Sequence, residues 1–413
     1  MTNNTLPATL TQAREADQQD PFHSLRAEFV IPEGVIYLDG NSLGCLPKRT
    51  AEHLQQVVSQ QWGEGLIRSW NQAGWLDLPQ RVGALIAPLV GAHADEVVMT
   101  DSTSINLFKL AAAALRQNAP RREILVEADN FPTDAYIMQG LAEHLREQPT
   151  IRRVPSTELG HAISPQTALV VVTEVHYKTG AKQDMAQFNA LAHEHGALVL
   201  WDLSHSTGVI PVELNASQAD YAVGCGYKYL NGGPGAPAFA YVARAHQARL
   251  QQPLWGWFGH EQPFAMQYQY APAQGINQLL TGTTSILAGS ALEKSLSVFA
   301  GIDRVALREK SKRLTQLLIE QVQAPELELV SPQDPDHRGS QVSWRHPQGY
   351  AITQALIARG VIGDFRSPDI IRMGVAPLYI GYEDIYRAAA QINTVLNERL
   401  WDRPEYHHRH AVT

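Results

Sequence analysis

The chain has 413 residues, 44% hydrophobic and 18% charged, enough apolar surface for a large core and two or three domains. A formal net charge of −8 with no basic run argues against nucleic acid or an anionic membrane as the main partner. Two cysteines, Cys45 and Cys225, exclude a disulfide framework; with no signal-peptide pattern and no apolar run of membrane-spanning length, a cytoplasmic protein is expected.

Residues 1–30 read as a polar, loosely held arm with a little helix. A strand over 34–39 runs into Gly40-Asn41-Ser42-Leu43-Gly44, and 51–62 is amphipathic at the helical period. Residues 66–75, with Arg68, Trp70 and Trp75, have the composition of a site-lining or interface loop, and a helix follows at 81–90. Strands and helices then alternate. A strand at 96–100 precedes a helix at 105–116, one at 123–127 precedes a helix reaching about Glu147, and one at 169–173 precedes a helix at 185–195. Strands at 197–201, 221–224 and 237–242 complete the series. This alternation predicts a three-layer α/β/α fold around a mainly parallel sheet.

Beyond residue 280 the pattern changes to long helices at 285–299 and 306–323, strands at 327–330, 341–344 and 370–374, and helices at 352–359 and 382–400. A smaller C-terminal α/β domain is expected. The division is then an arm over 1–45 packing with the small domain, a large domain over 46–290 and the small domain over 291–413.

Ligands of an open α/β sheet bind outside the carboxyl ends of its strands. Asp202 ends one predicted strand and Lys228 follows the next, so both side chains are expected in one crevice. A desolvated lysine there can condense with a carbonyl, and a carboxylate can pair with the ring nitrogen of pyridoxal phosphate. By themselves a surface lysine and a helix-capping aspartate fit this stretch equally well. Thr103 and Ser104 open a helix, where backbone N–H groups and hydroxyls suit a phosphate or simply cap the helix. Phe131 beside Pro132 can stack on a flat ring or fill a core. His205 can touch a ligand or be structural, and Arg372 can clamp a carboxylate or bridge two domains. No GxxxxGK[ST] or GxGxxG is present. The terminal His407-His408-Arg409-His410 lacks carboxylate or cysteine partners nearby, so a solvated or docked tail is expected and no metal site.

Four longer strings go further. Tyr37-Leu38-Asp39-Gly40-Asn41-Ser42-Leu43-Gly44, Asn130-Phe131-Pro132-Thr133-Asp134, Tyr227-Lys228-Tyr229-Leu230-Asn231-Gly232-Gly233-Pro234-Gly235 and Trp255-Gly256-Trp257-Phe258-Gly259-His260 together resemble the kynureninase family, from Tyr37 almost to the C-terminus. The resemblance implies a pyridoxal 5'-phosphate enzyme of the aminotransferase-like fold (fold type I). Its activity would be hydrolytic Cβ–Cγ cleavage of L-kynurenine to anthranilate and L-alanine, in tryptophan catabolism and NAD biosynthesis. It also implies that Lys228 carries the cofactor's aldehyde carbon, that Asp202 pairs with the ring nitrogen and that Phe131 stacks on the ring within Phe131-Pro132-Thr133. Thr103, Ser104 and Tyr227 would surround the phosphate, Asp134, Thr173 and His205 would complete the shell, and Tyr227 would serve as an acid. Arg372 would hold the substrate α-carboxylate. Trp257 and Thr283 would reach the phosphate of a neighbouring subunit, giving a homodimer with shared sites.

Ser204, where the family often has alanine, and Ala128-Asp129, where it usually has Thr-Ser, depart from the family pattern. Gly282-Thr283 resembles bacterial members, which implies kynurenine rather than its 3-hydroxy derivative as the preferred substrate. A cysteine desulfurase or an aminotransferase on the same fold, and a catalytically silent scaffold, are the competing expectations. The first needs a mobile cysteine, and neither Cys45 in its loop nor Cys225 beside a strand suits that role.

Overall fold

The structure, a computed structural model, describes residues 6–145 and 148–410. Its larger sheet has seven strands: β1 (Val97–Met99), β2 (Glu123–Glu127), β3 (Thr150–Val154), β4 (Thr167–Thr173), β5 (Leu198–Asp202), β6 (Tyr221–Cys225) and β7 (Ala238–Val242). They lie in the order β1-β7-β6-β5-β4-β2-β3. The strands β3, β2, β4, β5 and β6 pair in parallel with one another, as the helices between most of them require. Only β7 is antiparallel, to both β6 and β1. The reason is local: residues 226–237 contain no helix and turn through Asn231-Gly232-Gly233-Pro234-Gly235, so the chain doubles back.

All seven residues of β4 are buried, as in a strand covered on both faces. Val170 and Val172 belong to the apolar cluster on one side, Leu169 and Val171 to that on the other, which is the two-residue alternation of a pleated strand. The sequence pattern missed β3, because Thr-Ile-Arg-Arg-Val at a sheet edge is largely solvent-facing and carries no apolar alternation. The helix ahead of Glu147 spans Pro132–His144, and Glu147 itself lies outside the described residues. The amphipathic run at 51–62 is α-helical only over Lys48–Gln56 and continues as a π-helix over Val57–Gly65.

A second sheet holds β8 (Glu328–Leu329), β9 (Gln341–Arg345), β10 (Asp364–Arg366) and β11 (Ile370–Gly374), in the order β8-β9-β11-β10 and antiparallel throughout. Its helices are Arg304–Gln321, Gly349–Ala358 and Tyr382–Asn397. The N-terminal segment is tied to this unit: Ile36–Tyr37 pairs in parallel with Val361–Ile362, and Asp39 bridges to Gly374. The C-terminal tail docks there too, with Arg409 over the rings of Tyr350 and Phe365.

From helix Leu10–Gln19 onward the arm is held firmly, where a loosely held arm was expected. Helix Leu10–Gln19 brings Asp17 to the start of helix Tyr382–Asn397, where its carboxylate accepts from the backbone N–H groups of Tyr382 (2.6 Å) and Glu383 (2.9 Å). A carboxylate from elsewhere in the chain thus satisfies helix-end donors that Gly381, lacking a side chain, cannot. Replacing Asp17 with alanine should cost about 1–2 kcal/mol and loosen that helix turn. Faster hydrogen exchange at Tyr382 and Glu383 is the readout, whereas Asp95→Ala, which breaks the exposed pair with Arg244, should change stability by less than about 1 kcal/mol. Equal effects of the two substitutions would show that the arm does not cap the helix.

Candidate active site

The carboxyl ends of β4 and β5 lie in register, Thr173 opposite Asp202, and Asp202 opposite Val223 of β6. A cavity of about 210 Å³ opens there. From the sheet and its following loops come Thr173, Asp202, His205, Tyr227 and Lys228; from two helix starts come Thr103, Ser104, Thr133 and Asp134, with Phe131 beside them. Arg372 enters from β11. A larger cavity of about 700 Å³ under the N-terminal arm contains none of these residues; two ion pairs line it, Lys310 with Asp20 and Arg26 with Asp384.

Lys228 Nζ lies 3.0 Å from His205 Nε2. Burial first, and then the positive charge of Lys228, push His205 well below the usual histidine range. The ring is therefore neutral and accepts from the lysine at Nε2, which puts the proton on Nδ1; that buried nitrogen has no partner among the described residues. Asp202, 7% exposed, accepts from the backbone N–H of Ser204 at 2.8 Å. Two further acids lie nearby. Burial, helped by the charge of Asp202, drives Asp134 well above the carboxylate range, and Asn130 donates to it at 2.8 Å. Burial also raises Glu127 to about 8 while it accepts from the N–H of Thr173 at 2.9 Å. Tyr227 is shifted upward, chiefly by burial, so its phenol keeps its proton.

Two glycines set the loop that holds Lys228. Gly44 donates its N–H to Tyr227 O (2.8 Å), and a Cβ on Gly44 would stand 2.2 Å from Lys228 O. A Cβ on Gly374 would strike Asn41 Oδ1 at 1.9 Å. Gly40-Asn41-Ser42-Leu43-Gly44 therefore packs between the lysine loop and β11, a close approach that only glycine permits.

Phe131 is 47% exposed and meets Tyr177 edge-on at 5.4 Å. Pro132 is the first residue of helix Pro132–His144 and does not line the cavity. Neither do Trp257, which borders an aromatic depression with Trp255 and Tyr268, and Thr283, which lies with Asp101 and Gly235 in another. Arg372 is 1% exposed and spends most of its donors on protein: Nε and Nη2 on Asp364 (2.8 and 2.5 Å), Nη2 also on Ser42 (2.8 Å) and Nη1 on Tyr177 O (2.7 Å). The sequence reading passed over Tyr177, Asn41, Ser42 and Arg366, all on the cavity wall. Asn41 and Ser42 stood in a quoted string without a role, and Arg366 sits on the three-residue strand β10, too short to carry a pattern.

Fold and crevice together define a pyridoxal-phosphate enzyme of fold type I. The cysteine desulfurases of Thermococcus onnurineus NA1 and Escherichia coli (CsdA) each superpose with a TM-score of 0.77, at 17% and 18% identity, covering 91% of this chain and 98% of theirs. That is a likeness of fold alone, and both cysteines here are buried. The kynureninase C-terminal domain model matches residues 307–392. The kynureninase of Pseudomonas fluorescens is 50% identical over 96% of this chain and 98% of its own length, and that of Burkholderia mallei (strain SAVP1) is 49% identical over 98% and 100%. The chain belongs to the kynureninase family.

Proposed function

We propose that this protein hydrolyses the Cβ–Cγ bond of L-kynurenine, releasing anthranilate and L-alanine, in cytoplasmic tryptophan catabolism that feeds NAD biosynthesis. What supports the reading above all is the 50% identity with P. fluorescens kynureninase across 96% of this chain. The cavity suits pyridoxal 5'-phosphate: it offers a lysine amine, a carboxylate and an unpartnered buried His205 Nδ1.

Bound pyridoxal 5'-phosphate supplies an aldehyde carbon for an amino group and a ring that draws electrons from the substrate's α-carbon. Lys228 would hold it, and its amine would take the α-proton at Nζ; neutral His205 is placed to share that proton at Nε2. Asp202, held by the hydrogen bond from Ser204 N–H, is the carboxylate that would pair with the ring nitrogen and keep it protonated. Thr103, Ser104 and Tyr227 hold the phosphate. Phe131 and Thr133 would cover the ring, with Pro132 off the cavity at the start of their helix, and Asp134 and Thr173 would complete the shell. Tyr227, whose phenol burial keeps protonated, donates to the β-carbon that becomes the methyl group of L-alanine. Arg372 orients the substrate carboxylate.

The working unit is a homodimer in which Trp257 and Thr283 reach the neighbouring subunit's phosphate. Their position off the cavity of their own Lys228 supports this, as do exposed Trp62, Leu66, Ile67, Phe264 and Met266. The arm (1–45), large domain (46–290) and small domain (291–413) are the units that meet at the site. Among the described residues no helix is long and apolar enough to cross a membrane. Holoenzyme mixed with L-kynurenine should release anthranilate, read by its fluorescence, and L-alanine in equal amounts; a keto acid with no anthranilate would identify an aminotransferase instead.

A further inference from the structure

We propose that Arg366 is a second substrate-binding residue, gripping the substrate's α-carboxylate jointly with Arg372, while Asp364 and Ser42 hold the two guanidinium groups side by side. The inference rests on the proposed amino-acid cleavage and deepens it.

The two arginines share their supports. Arg366 Nη2 donates to Ser42 Oγ at 2.9 Å and to Asp364 Oδ2 at 2.6 Å, and Arg372 Nη2 donates to the same two atoms. Ser42 in turn donates to Asp364 Oδ2 at 2.6 Å. A guanidinium has five N–H donors. Arg372 uses most of its own on Asp364, Ser42 and Tyr177 and has little left for a ligand. Arg366 is less spent: of its three nitrogens only Nη2 makes a hydrogen bond among the described residues, and the side chain, 33% exposed, lines the cavity that holds Lys228. An unpartnered guanidinium N–H beside a cavity is costly until an acceptor arrives.

The charge balance points the same way. Burial opposes ionisation of Asp364, but Arg372 and Arg366 with Ser42 outweigh it and bring its carboxyl to about 2. Asp39, the other acid of the cluster, is driven to about 8, first by burial and then by the charge of Asp364. Near neutral pH the cluster therefore sets two guanidinium cations against one carboxylate. One positive charge remains beside the cavity, and a single carboxylate from an amino acid cancels it.

The test uses the holoenzyme, with L-alanine and L-alaninamide as probes in titration calorimetry. Arg366→Gln should weaken L-alanine binding about 10- to 100-fold, the span for a hydrogen bond to a charged group, and L-alaninamide binding far less. Arg366→Lys keeps the charge without the fork and should fall between. In turnover, Arg366→Gln should raise KM for L-kynurenine with kcat within about threefold of the parent, the signature of lost uniform binding. Unchanged L-alanine affinity in either variant, or acid and amide weakened alike, overturns the proposal. Should the parent enzyme discriminate acid from amide through Arg366 yet release no anthranilate, the cleavage reading falls and the carboxylate site stands.

Discussion

Lys228→Ala should abolish turnover of L-kynurenine, with a loss at the proton-transfer step alone of about 10²- to 10⁴-fold. Lys228 Nζ is an amine on the cavity whose single neighbouring side-chain acceptor among the described residues is His205 Nε2, at 3.0 Å. Other basic groups on the wall are unsuited to replace it: Arg366 and Arg372 are guanidiniums, too basic to give up a proton, and burial pushes His205 well below the usual histidine range, which weakens it as a base. Two measurements check this. Steady-state anthranilate release should vanish in the variant. Borohydride treatment followed by peptide mass analysis should tag Lys228 in the parent and no lysine in the variant. A near-parental rate would remove Lys228 from the mechanism.

The second large effect is at Asp202. On the proposed pairing, Asp202→Ala should lower kcat by a factor on the order of 10² or more, because the ring would lose the carboxylate that keeps it an electron sink. Asp134 and Glu127 are poor substitutes: burial pushes Asp134 well above the carboxylate range and Glu127 to about 8, so it disfavours the charge on either. Asp202→Glu keeps the charge and should retain part of the activity. The absorbance of the bound cofactor should shift in Asp202→Ala, since its ring nitrogen would lose its proton. If rate and spectrum both match the parent, the pairing is wrong.

Much of this was legible before any coordinates. The apolar runs ending on Thr173 and Asp202, and the glycine-rich turn after Lys228, are local features with local causes, and they lie together at the ends of β4, β5 and β6. The same locality explains the misreadings. An edge strand such as β3 has no apolar alternation, so Arg152 and Arg153 carry no strand signal. The run at 51–62 kept its helical apolar spacing, but nothing in that spacing distinguishes an α-turn from the π-turns over Val57–Gly65.

By itself the sequence determined the alternating α/β plan, the Lys228–Asp202 crevice and the family, because each is written in runs of neighbouring residues. Tertiary structure alone decided how Arg372 and Arg366 are shared by Asp364 and Ser42, which are 322 residues apart, and how Asp17 caps a helix 365 residues away. Such contacts leave no periodic trace. They depend on which surfaces the buried core brings together, and on charges whose ionisation is settled by burial and by neighbours from distant parts of the chain.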